Sequence, residues 1–180
     1  MFVINECRAQ NSQAQTKTND NYTVQYLIVF NNKNEILMMK NGLGWHTPAI
    51  RSDKPQAIRE AMDSLSHTLG LRISNIKLSG VYTHKFRGVP DHPEVSFRTY
   101  YTALYQAGSI NQLPGKGVEY YWIQTDKALP LLHFEFMKQQ IRPILRDREK
   151  VWGGTFLITW EKNQFKNSEI IENVYQLGGS

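Results

Sequence analysis

The chain holds a single cysteine, Cys7, among 180 residues. One thiol excludes an internal disulfide framework and any Cys-x-x-Cys metal motif, and it suits a reducing compartment. Cys7 is poorly placed as a nucleophile, because the segment around it has no periodic pattern. Long apolar runs are also missing, and none approaches the roughly 18 residues that a membrane-spanning helix needs. Residues 1–6 have neither a basic start nor a long apolar core. Neither secretion nor a membrane partner is therefore expected, and the expected location is cytoplasmic. No Gly-rich P-loop is recognisable, and no Ser, Cys or His nucleophile constellation.

What is present describes an ordinary globular domain with a basic bias. A 41% apolar fraction over 180 residues is enough for one domain with a substantial core. The 21 Lys and Arg residues outnumber the 16 Asp and Glu, giving a net charge of +5. Such a balance favours anionic partners in a general way, and it also describes a merely basic surface. The clearest basic cluster, Arg142, Arg146, Arg148 and Lys150, is punctuated by acids and reads as a solvated helix end. Nucleic-acid binding through charge therefore ranks last among the candidate functions.

Residues 1–21 read as a polar, irregular lead-in. Residues 22–30 and 35–39 are β-branched and apolar, and the Asn-rich stretch 31–34 turns one strand into the other. That hairpin runs into Gly42-Leu43-Gly44-Trp45. Next, Ile58, Ala61, Met62, Leu65 and Leu69 recur at the spacing of one buried helical face. Ser52 or Asp53 suits the cap, Pro55 the first turn and Gly70 the stop. Strands are expected at 76–82, 95–105, 118–124 and 151–160. A long helix is expected over 129–145, with Pro130 at its entry, and a short terminal helix over 168–177. Strands with interspersed helices make a mixed α/β domain.

The order of these pieces resembles the Nudix (MutT-like) family. There a strand pair leads through a Trp-x-x-Pro-Gly-Gly loop into a helix ending in Gly. More strands follow, then an acid near a Trp-containing strand and a closing helix. Gly44-Trp45-His46-Thr47-Pro48, the helix to Gly70-Leu71, and Glu119-Tyr120-Tyr121-Trp122-Ile123 carry the likeness. It covers residues 22–148 and leaves 149–180 as a C-terminal extension on the same domain. The resemblance implies an α/β/α sandwich with a mixed sheet. It also implies hydrolysis of a pyrophosphate bond in a nucleotide-like or other phosphorylated small molecule, with Mg²⁺ or Mn²⁺ as cofactor.

The family's box reads G-x5-E-x7-R-E-U-x-E-E-x-G-U, with U aliphatic. Glutamates one turn apart share a helical face and hold the cations that polarise the pyrophosphate. Anchored on Gly70-Leu71, the box meets Asp63-Ser64 at its Arg-Glu pair, His67 and Thr68 at the later glutamates, and Ala49 and Ile50 at the loop glycines. Anchored on Arg59-Glu60, it recovers that pair and puts Asp63 at a later glutamate. That register requires a shortened loop and four extra helical residues. The first register demands less rearrangement. Neither restores the box, so canonical hydrolysis is expected to be weakened, altered or lost. The alternative is a non-catalytic nucleotide-binding or regulatory module.

Glu60 and Asp63 are the candidate catalytic residues, and Glu60, Asp63, His67 and Glu119 the candidate metal ligands. Glu60 and Asp63 share a helical face, which reads equally as exposed surface. His67 would complete a nitrogen-and-oxygen set better suited to a transition metal. Candidate ligand contacts are Trp45, His46, Arg51, Arg59, His84, Lys85 and Arg87, with the last three in a basic-aromatic loop that could grip an anion. The C-terminal extension could cap the fold, line the cleft or pair two subunits as a homodimer.

Overall fold

The computed structural model describes residues 23–52, 55–89, 95–112, 117–162 and 164–178. Cys7, the Asp53 cap and the loop stretches 90–93 and 113–116 lie outside them, as does the Ser52 side chain.

β1 (Thr23–Phe30) is central and apolar throughout its second half, because both of its faces are covered. Leu27 and Val29 join one buried cluster, and Ile28 and Phe30 the other. The turn that follows is built by Asn31, whose Oδ1 accepts the Lys33 and Glu35 amides at 2.9 and 3.0 Å. This side-chain turn aims the chain back as β2 (Glu35–Asn41). β3 (Gly44–His46) and β4 (Ala49–Ser52) complete the entry to the first helix.

α1 (Ile58–Thr68) buries Ala61, Met62 and Leu65, with Leu69 just beyond its end, against Leu27, Val29, Leu37 and Tyr101. Each large side chain on that face contributes roughly 1.5–3 kcal/mol of burial. Ile58, expected on that face, is 55% exposed, since it stands at the first turn before the helix meets the sheet. The cap is Ala57 and not Ser52 or Asp53, so Pro55 precedes the first turn. Gly70 ends the helix at φ +76, and a Cβ there would sit 2.4 Å from the Ser109 carbonyl oxygen. Only glycine meets both conditions without strain.

The rest of the chain extends and covers the sheet. β5 (Leu71–Arg87) starts directly after Gly70 and outruns the expected strand at both ends. It pairs antiparallel with β6 (Val95–Gly108), and β7 (Glu119–Gln124) pairs with β2. α2 (Thr125–Leu131) and α3 (Glu135–Arg146) replace the single helix expected over 129–145. The break is tertiary: the His133 amide donates to the Trp45 carbonyl at 3.0 Å, and Leu132 bridges Trp45. β8 (Val151–Glu161) joins β5 in parallel.

Residues 168–177 belong to β9 (Gln164–Gly178), a strand and not the expected helix. Its apolar residues do not alternate because the β8–β9 ladder shifts register at four points. That irregularity imitates a helical spacing. The sheet order is β3-β2-β1-β6-β5-β8-β9, with β4 on β1 and β7 on β2. It is mixed, with β1–β6 and β5–β8 parallel. α1 covers one face, while α3 covers the other through Met137, Ile141 and Ile144. The result is the α/β/α arrangement expected from the sequence.

Candidate functional site

β1 and β2 meet only at the Phe30–Ile36 pair. Beyond it they diverge, the start of β1 turning to β4 and most of β2 to β7. A cavity of about 290 Å³ opens there, lined by Tyr26, Met39, His46, Thr47 and Ala49 around the divergence. β5 and β6 contribute His84, Phe86 and Arg98. The far wall is Phe134, Phe136 and Met137 with Ile158, Trp160 and Phe165. The β8–β9 hairpin, outside the resemblance, therefore lines the cleft. Rings dominate: Phe134 stacks on Phe136 at 5.3 Å and meets Phe165 at 4.8 Å.

Polar groups punctuate this apolar wall. His84 is 2% exposed, with Nε2 lying 2.7 Å from the Gln140 amide nitrogen. Gln140 in turn accepts the Tyr100 hydroxyl at its Oε1, and its backbone carbonyl accepts that of Tyr82, both at 2.8 Å. Burial, reinforced by the Arg98 charge, pulls the His84 pKa down to about 3, so the ring is neutral at ordinary pH. Arg98 is 6% exposed, donates to Ser96 Oγ and the Phe97 carbonyl, and lies 5.5 Å from the Phe86 ring centroid.

His46 is 8% exposed, and neither its Nε2 nor the Thr47 hydroxyl has a hydrogen-bond partner among the described residues. Burial lowers the His46 pKa, nearby His133 lowers it further, and a hydrogen bond to the Leu43 backbone opposes both. Gly44 permits this packing: its φ is +100, and a Cβ would come within 2.9 Å of the His133 side chain. Orphaned polar atoms in a ring-lined cavity mark a place where a ligand's polar groups can be satisfied.

Of the residues expected at the site, the structure brings His46 and His84 together around this cavity. Lys85 and Arg87 are in β5 and not in a loop, so strand alternation turns them to the face opposite His84 and Phe86. Arg87 lies 4.0 Å from Glu169. Trp45 is half-buried against Tyr121, with ring centroids 5.3 Å apart and Lys40 at 5.7 Å. Arg51 is exposed on β4, on the same side as cavity-lining Ala49. Arg59, Glu60, Asp63 and His67 are exposed on α1, on the other side of the sheet.

Among the described residues, the expected ligands Glu60, Asp63, His67 and Glu119 do not converge on one cation site. Glu60 turns back to its own helix start, accepting the Ala57 amide at 3.4 Å. Glu119 accepts the Tyr121 hydroxyl at 2.7 Å. It shares a strand face with Ile123, which packs in the α3-side core, so the sheet separates it from α1. Among the described residues no three His, Cys, Asp or Glu side chains are grouped to hold a metal ion. Cavity residues that sequence reasoning missed are Phe86, Arg98, Phe134, Phe136, Trp160 and Phe165. Arg98, the one charged residue of β6, was the one local signal.

No protein-family model and no curated protein matches the sequence. Solved structures do match the fold. A mutator MutT protein from Bacillus halodurans superposes with a TM-score of 0.68 at 16% identity, over 83% of this chain and 97% of that one. A NUDIX hydrolase from Nitrosomonas europaea gives 0.57 at 12% identity, over 78% and 80%. The E. coli dihydroneopterin triphosphate pyrophosphohydrolase gives 0.52 at 8% identity, over 69% and 95%. Among the described residues no helix is long and apolar enough to cross a membrane. With a mixed, diverging sheet between α1 and α3, the chain has the fold of the MutT-like Nudix hydrolases.

Proposed function

We propose that the chain binds a nucleotide-like phosphorylated small molecule, with the ring in the cavity and the phosphates toward the cations on that side. The observation that carries this reading is the aromatic cavity with its orphaned His46 and Thr47 atoms. Arg98 at the wall and Arg51 beside Ala49 supply positive charge for an anion. The Nudix-like fold supports pyrophosphate hydrolysis as the reaction class. The dispersal of Glu60, Asp63 and Glu119 supports a Mg²⁺- or Mn²⁺-dependent step that is weakened, altered or lost. The same dispersal supports a second reading, a non-catalytic binding or regulatory module.

The test is a panel of nucleoside-diphosphate derivatives, with and without Mg²⁺ or Mn²⁺, followed by melting temperature and product formation. Stabilisation by a nucleotide without metal, slow or no turnover, and little effect of Glu60→Gln are expected. Fast turnover abolished by Glu60→Gln refutes the weakened-hydrolysis reading, and a panel that leaves the melting temperature unmoved removes the ligand. We also assign self-association to β9, an edge strand exposing Ile170, Ile171, Tyr175 and Leu177. Light scattering of the eluted protein decides it, a monomer at all concentrations being the refuting result.

A further inference from the structure

The basic cluster at the end of α3 divides in the structure. Arg148 lies 4.3 Å from the Phe30 ring centroid, and Lys150 pairs with Asp147 at 3.4 Å. Arg142 and Arg146 instead border a groove of about 460 Å³ between α3 and β9. They stand one helical turn apart, so both side chains reach the same space, with Gln139 a turn before them. Trp152, Ile170, Asn173 and Val174 form the opposite side. α3 gives Met137 to the ring-lined cavity and Gln139, Arg142 and Arg146 to the groove, and the two spaces share no lining residue.

No acid on these elements balances the two arginines. Glu135 at the start of α3 pairs with Lys138, and Asp147 at its end with Lys150, each at 3.4 Å. On β9, Glu169 lies 4.0 Å from Arg87, and Glu172 accepts the Thr155 hydroxyl at 2.9 Å. Arg142 and Arg146 make no ion pair with any described residue. The indole of Trp152 holds Arg146 at the groove, with the guanidinium carbon 5.8 Å from the ring centroid. Two guanidiniums beside apolar surface and the amides of Gln139 and Asn173 complement a doubly charged anion on a small organic body. A carboxylate supplies one negative charge, whereas a phosphate monoester supplies nearly two at neutral pH and three acceptor oxygens. We infer that this groove is a second ligand site, which takes the phosphate of a small organic phosphomonoester between Arg142 and Arg146 and its body against Ile170 and Val174.

Phenyl phosphate is the probe, with benzoate and inorganic phosphate as comparisons, each titrated into the isotope-labelled full chain. In proton–nitrogen spectra the indole N–H of Trp152 reports the groove and that of Trp160 the ring-lined cavity. Phenyl phosphate should move the Trp152 signal and bind about tenfold tighter than either comparison. Arg142→Gln and Arg146→Gln, at exposed helical positions that tolerate glutamine, should each weaken it about tenfold. A Trp152 signal that phenyl phosphate leaves still, or an affinity indifferent to both glutamine variants, overturns the inference. Benzoate binding as tightly overturns the choice of a phosphate, and inorganic phosphate binding as tightly overturns the organic body. A shift at Trp160 alone puts the phosphate in the cavity and removes the second site, while leaving the binding reading above intact.

Discussion

Replacing His84 by Phe should make the stability of the protein less sensitive to acid. In the folded chain the ring is enclosed by Phe136, Phe156 and Phe86, hydrogen-bonded to Gln140 and faced by the Arg98 charge. Its pKa falls from 6.5 to about 3, first through burial and then through Arg98. The unfolded chain binds a proton at His84 near pH 6.5, whereas the folded chain refuses it until about pH 3. The contribution is thus fully present above the unfolded pKa and is lost as pH falls toward the folded one. In that window each pH unit costs about 1.4 kcal/mol, so descending from pH 7.5 to 4.5 removes about 2.7 kcal/mol through this one group.

Other carboxylates and histidines also titrate in that range, which is why the difference between the two proteins is the quantity to measure. Urea unfolding at pH 7.5, 5.5 and 4.5, followed by tryptophan fluorescence, gives stability at each pH. His84→Phe forfeits the Gln140 contact and should start less stable at pH 7.5. The gap should then close by about 2.7 kcal/mol toward pH 4.5. Parallel curves for the two proteins would falsify the assignment of a buried, neutral His84.

Three further outcomes follow from the same structure. Met62→Ala on the buried face of α1 should cost about 2–5 kcal/mol in chemical unfolding, because the sheet beneath cannot collapse into the space; a loss below about 0.5 kcal/mol, typical of surface substitutions, contradicts the packing described. Gly70→Ala should cost about 1–3 kcal/mol from the strained backbone, and the clash with the Ser109 carbonyl adds to it; an unchanged melting temperature contradicts the φ of +76. Trp160→Ala should weaken nucleotide binding measured by calorimetry about tenfold, through lost ring contact, and unaltered affinity would move the ligand elsewhere.

Much of the fold was legible in the sequence because its signals are local. The hairpin from β1 to β2 follows from an Asn-rich turn between β-branched runs, and α1 from its repeating apolar face and Gly70. Residues 168–177 misled for the opposite reason. Their spacing is set by bulges against β8, and a bulge depends on its partner strand. The helix break at Leu132–Phe134 likewise depends on a backbone bond to Trp45, far away in the chain.

By itself the sequence determined the β1–β2 hairpin, α1, the mixed α/β class and the shortage of carboxylates in the α1 segment, since composition and periodicity act over a few residues. Tertiary structure decided where the chemistry lies. Alternation along β5 puts His84 and Phe86 in the cavity while turning Lys85 and Arg87 away from it. The divergence of β1 from β2 opens the space, and the β8–β9 hairpin closes it with Trp160 and Phe165. Those outcomes depend on which strands pair and in what register, and pairing is settled by contacts between distant segments.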